Sequence, residues 1–267
     1  MIERSFRITP GVGAELETRL WRAGYRHWDD YPAARPEGLV PAPVHERLMA
    51  AIARGREALR ARDADALAML LPRIERWRLY ATFREEAAFL DIEQDGDAIT
   101  AIGILDARGP RILLAGRDLD TFPEVAGGWR LLATYNGTSF DVPALRHAFP
   151  SWRPPRAHVD LRHLWSRLGH RGGLKLLEHE AGVGRPPELD GLSGGDAVRL
   201  WRAHLEGDRE ALRLFAEYNL HDTVNLRTLL DLGYNRMIER LRLPAPPVPV
   251  SERGDVRYDM TKVVMAL

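Results

Sequence analysis

Residues Ala87–Glu93 read Ala-Ala-Phe-Leu-Asp-Ile-Glu, an apolar run that leads into two acids one residue apart. The apolar run predicts a β-strand that ends at these acids. Because side chains alternate along a strand, Asp91 and Glu93 are expected to point to the same side. Two adjacent carboxylates repel each other, and a fold tolerates that repulsion mainly where a cation lies between them. Hard cations that prefer oxygen ligands, such as Mg²⁺ or Mn²⁺, are the usual occupants, so the stretch predicts half of a metal site.

A third acid follows another predicted strand. Leu131–Tyr135 is apolar and short, and the Asn136-Gly137 pair after it is a turn signal. Asp141 then stands at the start of a predicted helix. An aspartate at that position can also be an ordinary helix cap, so Asp141 alone does not indicate a metal ligand.

The last acid lies on a long predicted helix. Leu212–Leu226 has apolar residues at three- and four-residue intervals, which is typical of a helix. Tyr218 and Asp222 are four residues apart in it and therefore share one helix face. Taken singly, the tyrosine could be a packed helix residue and each acid a solvated one. The ordered set on strand, loop and helix indicates a metal site.

These three motifs resemble those of the DEDD superfamily of ribonuclease H-like 3′→5′ exonucleases, in the branch with a Tyr-x-x-x-Asp third motif. The nearest likeness is to a bacterial ribonuclease H-like family of predicted exonucleases, and it covers roughly residues 77–232. The sister branch carries a histidine five residues before the final aspartate, where this chain has Glu217. The neighbouring His221 lies about 100° around the helix from Asp222 and is not equivalent, so Tyr218 is the expected branch residue.

The resemblance implies a mixed five-stranded sheet flanked by helices and a metal-dependent exonuclease that uses two Mg²⁺ or Mn²⁺ ions. It implies that Asp91 bridges both ions, that Glu93 and Asp222 complete the ion that holds the attacking water, and that Asp141 supports the second. Tyr218 would orient the water, because a phenol with an ordinary pKa near 10 is a poor base at neutral pH. The substrate would be the 3′ end of single-stranded DNA or RNA.

Residues of the second motif are also expected to contact nucleic acid, namely Asn136, Gly137 and Phe140. Two alternatives stay open for the function as a whole. The chain could be a nucleic-acid-binding module that cleaves slowly or not at all, or a structure-specific endonuclease of the same fold. Neither the choice between DNA and RNA nor the oligomeric state can be read from the residues.

The chain is predicted to have three parts: an N-terminal helical region at 1–80, a nuclease domain at 81–243 and a Pro-rich tail at 244–267. In the first part, Gly11-Val12-Gly13 precedes a helix and resembles one turn of a helix-hairpin-helix motif. Gly11 and Gly13 would then seat a nucleic-acid phosphate, or the turn could dock this region on the rest. Two further helices are predicted, Val44–Arg62 and Ala64–Tyr80.

The rest of the predicted domain follows the ribonuclease H-like order of elements. Strands are expected at 98–105, 111–115 and 158–161, with a crossover helix at 122–127. Asp160 is expected to cap a helix. Lys175 could reach a substrate phosphate, but a position at the surface is expected. The end of the tail, Tyr258–Leu267, could form a short strand or helix, or part of the tail could be disordered.

Composition narrows the function classes. The net charge is zero, which argues against a protein that coats nucleic acid non-specifically. The chain has no cysteine, so it has no disulfides, no thiolate metal site and no disulfide-linked partner. No stretch approaches the ~20 apolar residues of a membrane span, and the N-terminus lacks an apolar signal core. A cytoplasmic protein without a membrane partner is therefore expected.

Overall fold

Five strands form one mixed sheet in the computed structural model, which describes residues 1–252, 258 and 260–265. The strands are β1 (Ala87–Asp95), β2 (Ala98–Asp106), β3 (Gly109–Leu114), β4 (Leu131–Thr134) and β5 (His158–Asp160). Their order across the sheet is β3-β2-β1-β4-β5. The first three strands are antiparallel, and β4 and β5 run parallel to β1. The predicted mixed five-stranded sheet with flanking helices is confirmed.

Strand β1 extends beyond the point at which the sequence predicted its end. It continues to Asp95, because the β1–β2 hairpin turns only at Gly96, whose φ of 63° suits glycine. Asp91 therefore lies within the strand, opposite Gly103 of β2. On the other side, β4 pairs with β1 only as far as Phe89. Asp91 and Glu93 thus lie in the part of β1 that pairs with β2 but not with β4.

Side-chain alternation gives the sheet two apolar faces. One face carries Leu90 and Ile102 and is covered by α5 (Phe122–Val125) and α6 (Asp141–Ala148). The opposite face carries Phe89 and Ala101 and packs against the long helix α10 (Arg209–Leu241). The other α-helices before residue 209 are α1 (Ala14–Arg22), α2 (Ala42–Arg60), α3 (Ala64–Leu70), α4 (Tyr80–Phe83), α7 (Leu161–Arg167), α8 (Leu174–Ala181) and α9 (Gly194–Leu205).

The N-terminal region shares one apolar core with the α10 face of the sheet. Its predicted helix from Ala64 to Tyr80 is wrong: α3 ends at Leu70, and a 3₁₀ segment, Arg73–Leu79, follows. Pro72 explains the break, because proline has no N–H to donate and its ring clashes with the preceding turn. The predicted crossover helix is likewise shorter, since α5 ends at Val125.

A buried ionic network ties the N-terminal region to the core. The Arg78 guanidinium donates to Glu17 Oε1 and Oε2 at 2.8 and 2.9 Å and to Glu75 Oε2 at 2.6 Å. Arg78 and both acids are at most 2% exposed. Glu17 Oε1 also accepts from the Phe6 N–H at 2.8 Å, so the network holds the backbone around Phe6 against α1.

The C-terminal segment returns along α10. Asn235 holds the Pro-rich stretch through two hydrogen bonds to the backbone of Val248, at 2.9 and 2.8 Å. Helix α11 (Met260–Met265) packs on α10 and β3, with Met260 and Val264 buried. The part of the tail prediction that concerns residues 253–257, 259, 266 and 267 lies outside the described residues.

Candidate metal centre

Three carboxylates converge between β1 and α10. Asp91 and Glu93 point from β1 toward the helix, and Asp222 points from the helix toward the strand. Each offers one oxygen, and the three oxygens lie within 4.8 Å of one another. We call these residues the acidic cluster. The convergence that the spacing of the motifs predicted is therefore present in the structure.

Gly103 lets α10 approach the strand that carries Asp91. A Cβ at this position would lie 2.2 Å from Thr223 Oγ1 and 2.4 Å from Asn219 Oδ1. Asn219 uses this closeness to donate from Nδ2 to Asp91 Oδ2 at 3.1 Å and to the Asp91 carbonyl at 3.3 Å. Neither contact was predicted from the sequence, although a glycine inside an apolar strand is a recognised sign of close packing.

Asp141 lies beside the cluster rather than in it. It is the first residue of α6 and is 2% exposed. Its Oδ1 accepts from the Ile92 N–H at 3.1 Å, at the part of β1 that β4 no longer covers. The carboxylate therefore takes the place of a strand neighbour and brings a further negative charge next to Asp91.

Burial and mutual repulsion make the charged state of these acids costly. Burial, and then the charges of Asp222, Asp141 and Glu93, hold the pKa of Asp91 well above its usual range. Burial first and Asp222 next raise the pKa of Glu93 to about 8. Burial raises the pKa of Asp141 to about 7.

The donor set fits a hard divalent cation. All of its atoms are carboxylate oxygens, which are the ligands that Mg²⁺ and Mn²⁺ prefer, and a cation would remove the repulsion that raises their pKa values. Asp91, Glu93 and Asp222 would hold such an ion, with Asp141 close enough to Asp91 to interact with it electrostatically.

Tyr218 lies one helical turn before Asp222 and is 4% exposed. Burial is the main reason that its pKa is raised above the ordinary value, followed by the charges of Asp222, Glu93 and Asp91. Its hydroxyl therefore stays protonated at neutral pH. A protonated phenol can donate a hydrogen bond and orient a water molecule, but it cannot take up a proton.

Two cations border the centre, and the sequence did not predict either of them there. Lys175 of α8, expected at the surface, has a buried ammonium 4.6 Å from the centre of the Tyr218 ring, so that expectation is wrong. Arg185, in the loop after α8, contacts the Asp222 carboxylate and pairs with buried Glu178 at 2.5 Å. Both residues lie between the second and third motifs in the sequence. No pattern in that segment indicates that it packs against the acidic cluster.

The loop of the second motif is shaped by internal contacts. Asn136 has a φ of 65°, and its side-chain oxygen accepts from Arg162 at 2.7 Å. Gly137 is required because a Cβ there would lie 2.3 Å from Thr134 Oγ1. Phe140, by contrast, is 48% exposed and is free to meet a substrate.

Asp160 caps its helix, as expected, and also fixes this loop. Its carboxylate accepts from the N–H of Arg162 at 3.1 Å, and from the N–H groups of Asn136 and Thr138 at 2.9 and 3.0 Å. These three backbone hydrogen bonds give Asp160 a structural role.

The Gly11–Gly13 turn lies against α2. A Cβ on Gly11, whose φ is 95°, would touch Val44 at 3.0 Å and Arg47 at 3.2 Å. The first turn of α1 carries two acids, Glu15 and Glu17, which disfavour an anion at that helix end. These contacts favour the docking alternative for the turn over phosphate binding.

A mixed sheet of order β3-β2-β1-β4-β5 with a carboxylate centre between β1 and a long helix defines a ribonuclease H-like α/β protein. A protein-family model described as RNase_H superfamily (RNase_H_2) matches residues 88–234. The chain belongs to this superfamily, which indicates nuclease-type activity and a nucleic-acid substrate. Searches of curated proteins and of solved structures gave no match. Among the described residues, no helix combines the length and apolar character needed to cross a bilayer.

Proposed function

We propose that the protein is a metal-dependent 3′→5′ exonuclease of the DEDD type, Tyr branch, acting on single-stranded DNA or RNA ends. The observation that carries this proposal is the acidic cluster, whose three ligand oxygens lie within 4.8 Å of one another. The buried phenol of Tyr218 lies beside them. The order of the motifs along the chain supports the Tyr branch, because position 217, where the sister branch has histidine, is a glutamate that pairs with Arg213 at 2.6 Å.

Two divalent ions, Mg²⁺ or Mn²⁺, would supply the activation of water and the stabilisation of the leaving oxygen. The chain provides the oxygens that hold them: Asp91, Glu93 and Asp222 directly, and Asp141 at the edge of the centre. Asn219 keeps the Asp91 carboxylate turned toward α10 through its 3.1 Å hydrogen bond.

Tyr218 is the group that would orient the attacking water. Its raised pKa keeps the proton on the phenol, so the hydroxyl donates a hydrogen bond and restricts the directions from which water can approach. The neighbouring cations, Lys175 and Arg185, give the centre positive charge that a phosphodiester can meet. The exposed ring of Phe140 offers a surface on which a terminal base can stack.

The proposal is tested with Asp91→Asn on single-stranded DNA and RNA labelled at the 5′ end, over a Mn²⁺ and Mg²⁺ titration. The wild-type protein is expected to shorten the DNA, the RNA or both stepwise from the 3′ end. The variant is expected to lose at least ~100-fold, the scale seen when a key charge-stabilising group is removed. Asp97→Asn is the matched control, because Asp97 lies in the exposed turn of the same hairpin.

Three outcomes separate the alternatives. Internal cuts would replace the exonuclease by a structure-specific endonuclease, and binding without cleavage would leave a nucleic-acid-binding module. Equal cleavage by wild type and Asp91→Asn would show that the acidic cluster is not the catalytic centre. A thermal-shift titration with Mn²⁺ reads out metal binding independently, since a ligand that binds only the folded state raises its stability.

A further inference from the structure

A groove of about 1090 Å³ extends from the second-motif loop to the N-terminal region. Thr138 and Val142, on either side of Asp141 in the chain, lie in one wall, and Trp77 of the N-terminal region lies in another. Six arginines contribute to its lining: Arg73, Arg76, Arg146, Arg153, Arg156 and Arg167. We call this surface the arginine groove.

The arginine groove has little internal charge compensation. Five of its six arginines, all except Arg167, form no ion pair with a carboxylate of the described residues. Two aspartates also line it, but both are engaged by backbone donors. Asp65 accepts from the Arg156 N–H at 2.7 Å, and Asp160 accepts from the second-motif loop. The sixth arginine, Arg167, is neutralised by Glu75 at 3.1 Å.

Two residues that line the groove each have a donor atom without an acceptor. Arg76 Nε and Trp77 Nε1 are buried and have no hydrogen-bond partner within the part of the chain that the structure describes. Trp77 as a whole is 3% exposed, so its N–H has little access to bulk water. The pKa of Arg76 is lowered, by burial first and then by the positive charges of Arg73 and Arg156. A ligand that suits this surface must therefore be negative and rich in acceptors.

We propose that the arginine groove binds the phosphodiester backbone of the nucleic-acid strand whose end enters the acidic cluster. The inference rests on the proposed function, because it assigns a second binding surface to the substrate of the acidic cluster. Two of the residues that line the groove, Thr138 and Val142, flank Asp141 in the chain. Guanidinium groups match phosphate oxygens in paired hydrogen bonds, and such contacts hold a strand without reading its bases.

Arg73→Gln/Arg76→Gln/Arg156→Gln tests this assignment. Binding of a fluorescent dinucleotide and of a longer oligothymidylate is measured by anisotropy in a chelating buffer, so that no cleavage occurs. Wild type is expected to bind the longer strand more tightly, and the variant is expected to lose most of that gain. Loss of three phosphate contacts should reduce the slope of log affinity against log salt by about 2, at roughly 0.7 per contact for single strands.

The matched control is Arg22→Gln/Arg54→Gln/Arg60→Gln, which removes the same charge from exposed arginines outside the groove. Equal weakening in both triple variants, or wild-type affinity in the groove variant, would overturn the proposal. So would stronger displacement of the oligonucleotide by polyglutamate than by unlabelled oligonucleotide, which would indicate an acidic protein segment instead.

Folding of the variants is checked by circular dichroism. If the half-buried Arg76 proves necessary for folding, the double variant Arg73→Gln/Arg156→Gln changes only exposed side chains and gives the same test. The assay does not depend on hydrolysis. If the wild type does not cleave but the groove variant loses length-dependent binding, the exonuclease proposal is rejected and the groove proposal stands. If the wild type cleaves and the groove variant binds as the wild type does, the groove proposal is rejected and the exonuclease proposal stands.

Discussion

Gly103→Ala is the substitution that most directly tests how the centre is assembled. The added Cβ would lie 2.2 Å from Thr223 Oγ1 and 2.4 Å from Asn219 Oδ1, whereas ordinary contacts begin near 3.4 Å. Relief of both clashes requires α10 to withdraw from β2 by about 1 Å, or the two side chains to turn away. Overpacking of this kind costs ~1–3 kcal/mol of folding free energy.

Either form of relief also disturbs the acidic cluster. A withdrawal of the helix carries Asp222 away from Asp91, and a misplacement of ~1 Å in a catalytic constellation can cost ~100-fold in rate. Rotation of Asn219 instead breaks its 3.1 Å hydrogen bond to Asp91 Oδ2, with a loss of about 1 kcal/mol. Cleavage and Mn²⁺ affinity are therefore expected to fall together.

The assays are urea unfolding, Mn²⁺ titration by thermal shift, and cleavage of a single-stranded oligonucleotide. Gly128→Ala is the control, because a Cβ there meets nothing within 4 Å. The double variant Gly103→Ala/Thr223→Ala removes the nearest obstacle and should regain part of the stability. If Gly103→Ala matches the control in stability, metal affinity and rate, the close approach of α10 does not govern the site.

Three further outcomes are expected. Tyr218→Phe should lower kcat by roughly 10- to 100-fold and Mn²⁺ affinity much less, because the orientation of water is lost while of the proposed ligands only Asp222 loses a hydrogen bond; an equal fall in metal affinity would speak against that role. In metal-free buffer the melting temperature should fall as the pH rises from 4.5 to about 8, because the folded pKa of Glu93 lies above its ordinary value and deprotonation then favours the unfolded chain. Saturating Mn²⁺ should flatten this dependence, and a rising melting temperature over the same interval would contradict it. Arg78→Met should cost about 3–5 kcal/mol in urea unfolding, since it leaves Glu17 buried without its cation, whereas Glu75 still pairs with Arg7 and Arg167; a loss under ~1 kcal/mol would show that the network is not needed.

The sheet and its long helix could be predicted because their signals are local. Alternation and apolar runs predicted β1, β2 and β4, and the three- and four-residue periodicity predicted the middle of α10. The acids of the cluster then followed from their positions on those elements. The end of β1 was misplaced, because pairing with β2 extends the strand past the acids, and pairing is a tertiary effect. The helix across Pro72 was wrong although proline is itself a local signal.

The supporting contacts of the centre could not be predicted in the same way. Asn219 meets Asp91 across 128 positions of sequence, and Arg185 reaches Asp222 from an irregular loop. Such contacts depend on how two elements pack, and no spacing within either element encodes them. Lys175 was misplaced for the same reason, since the environment of its ammonium is set by Tyr218 of another helix.

Both borders of the sheet are shielded by parts of the chain outside the matched family region. Helix α11 packs on β3, and the 3₁₀ segment Arg73–Leu79 packs on β5. A bare border strand would present unpaired N–H and C=O groups to another molecule and could seed aggregation. A fragment trimmed to residues 88–234 would lack both shields and should therefore self-associate, even though it retains every acid of the acidic cluster.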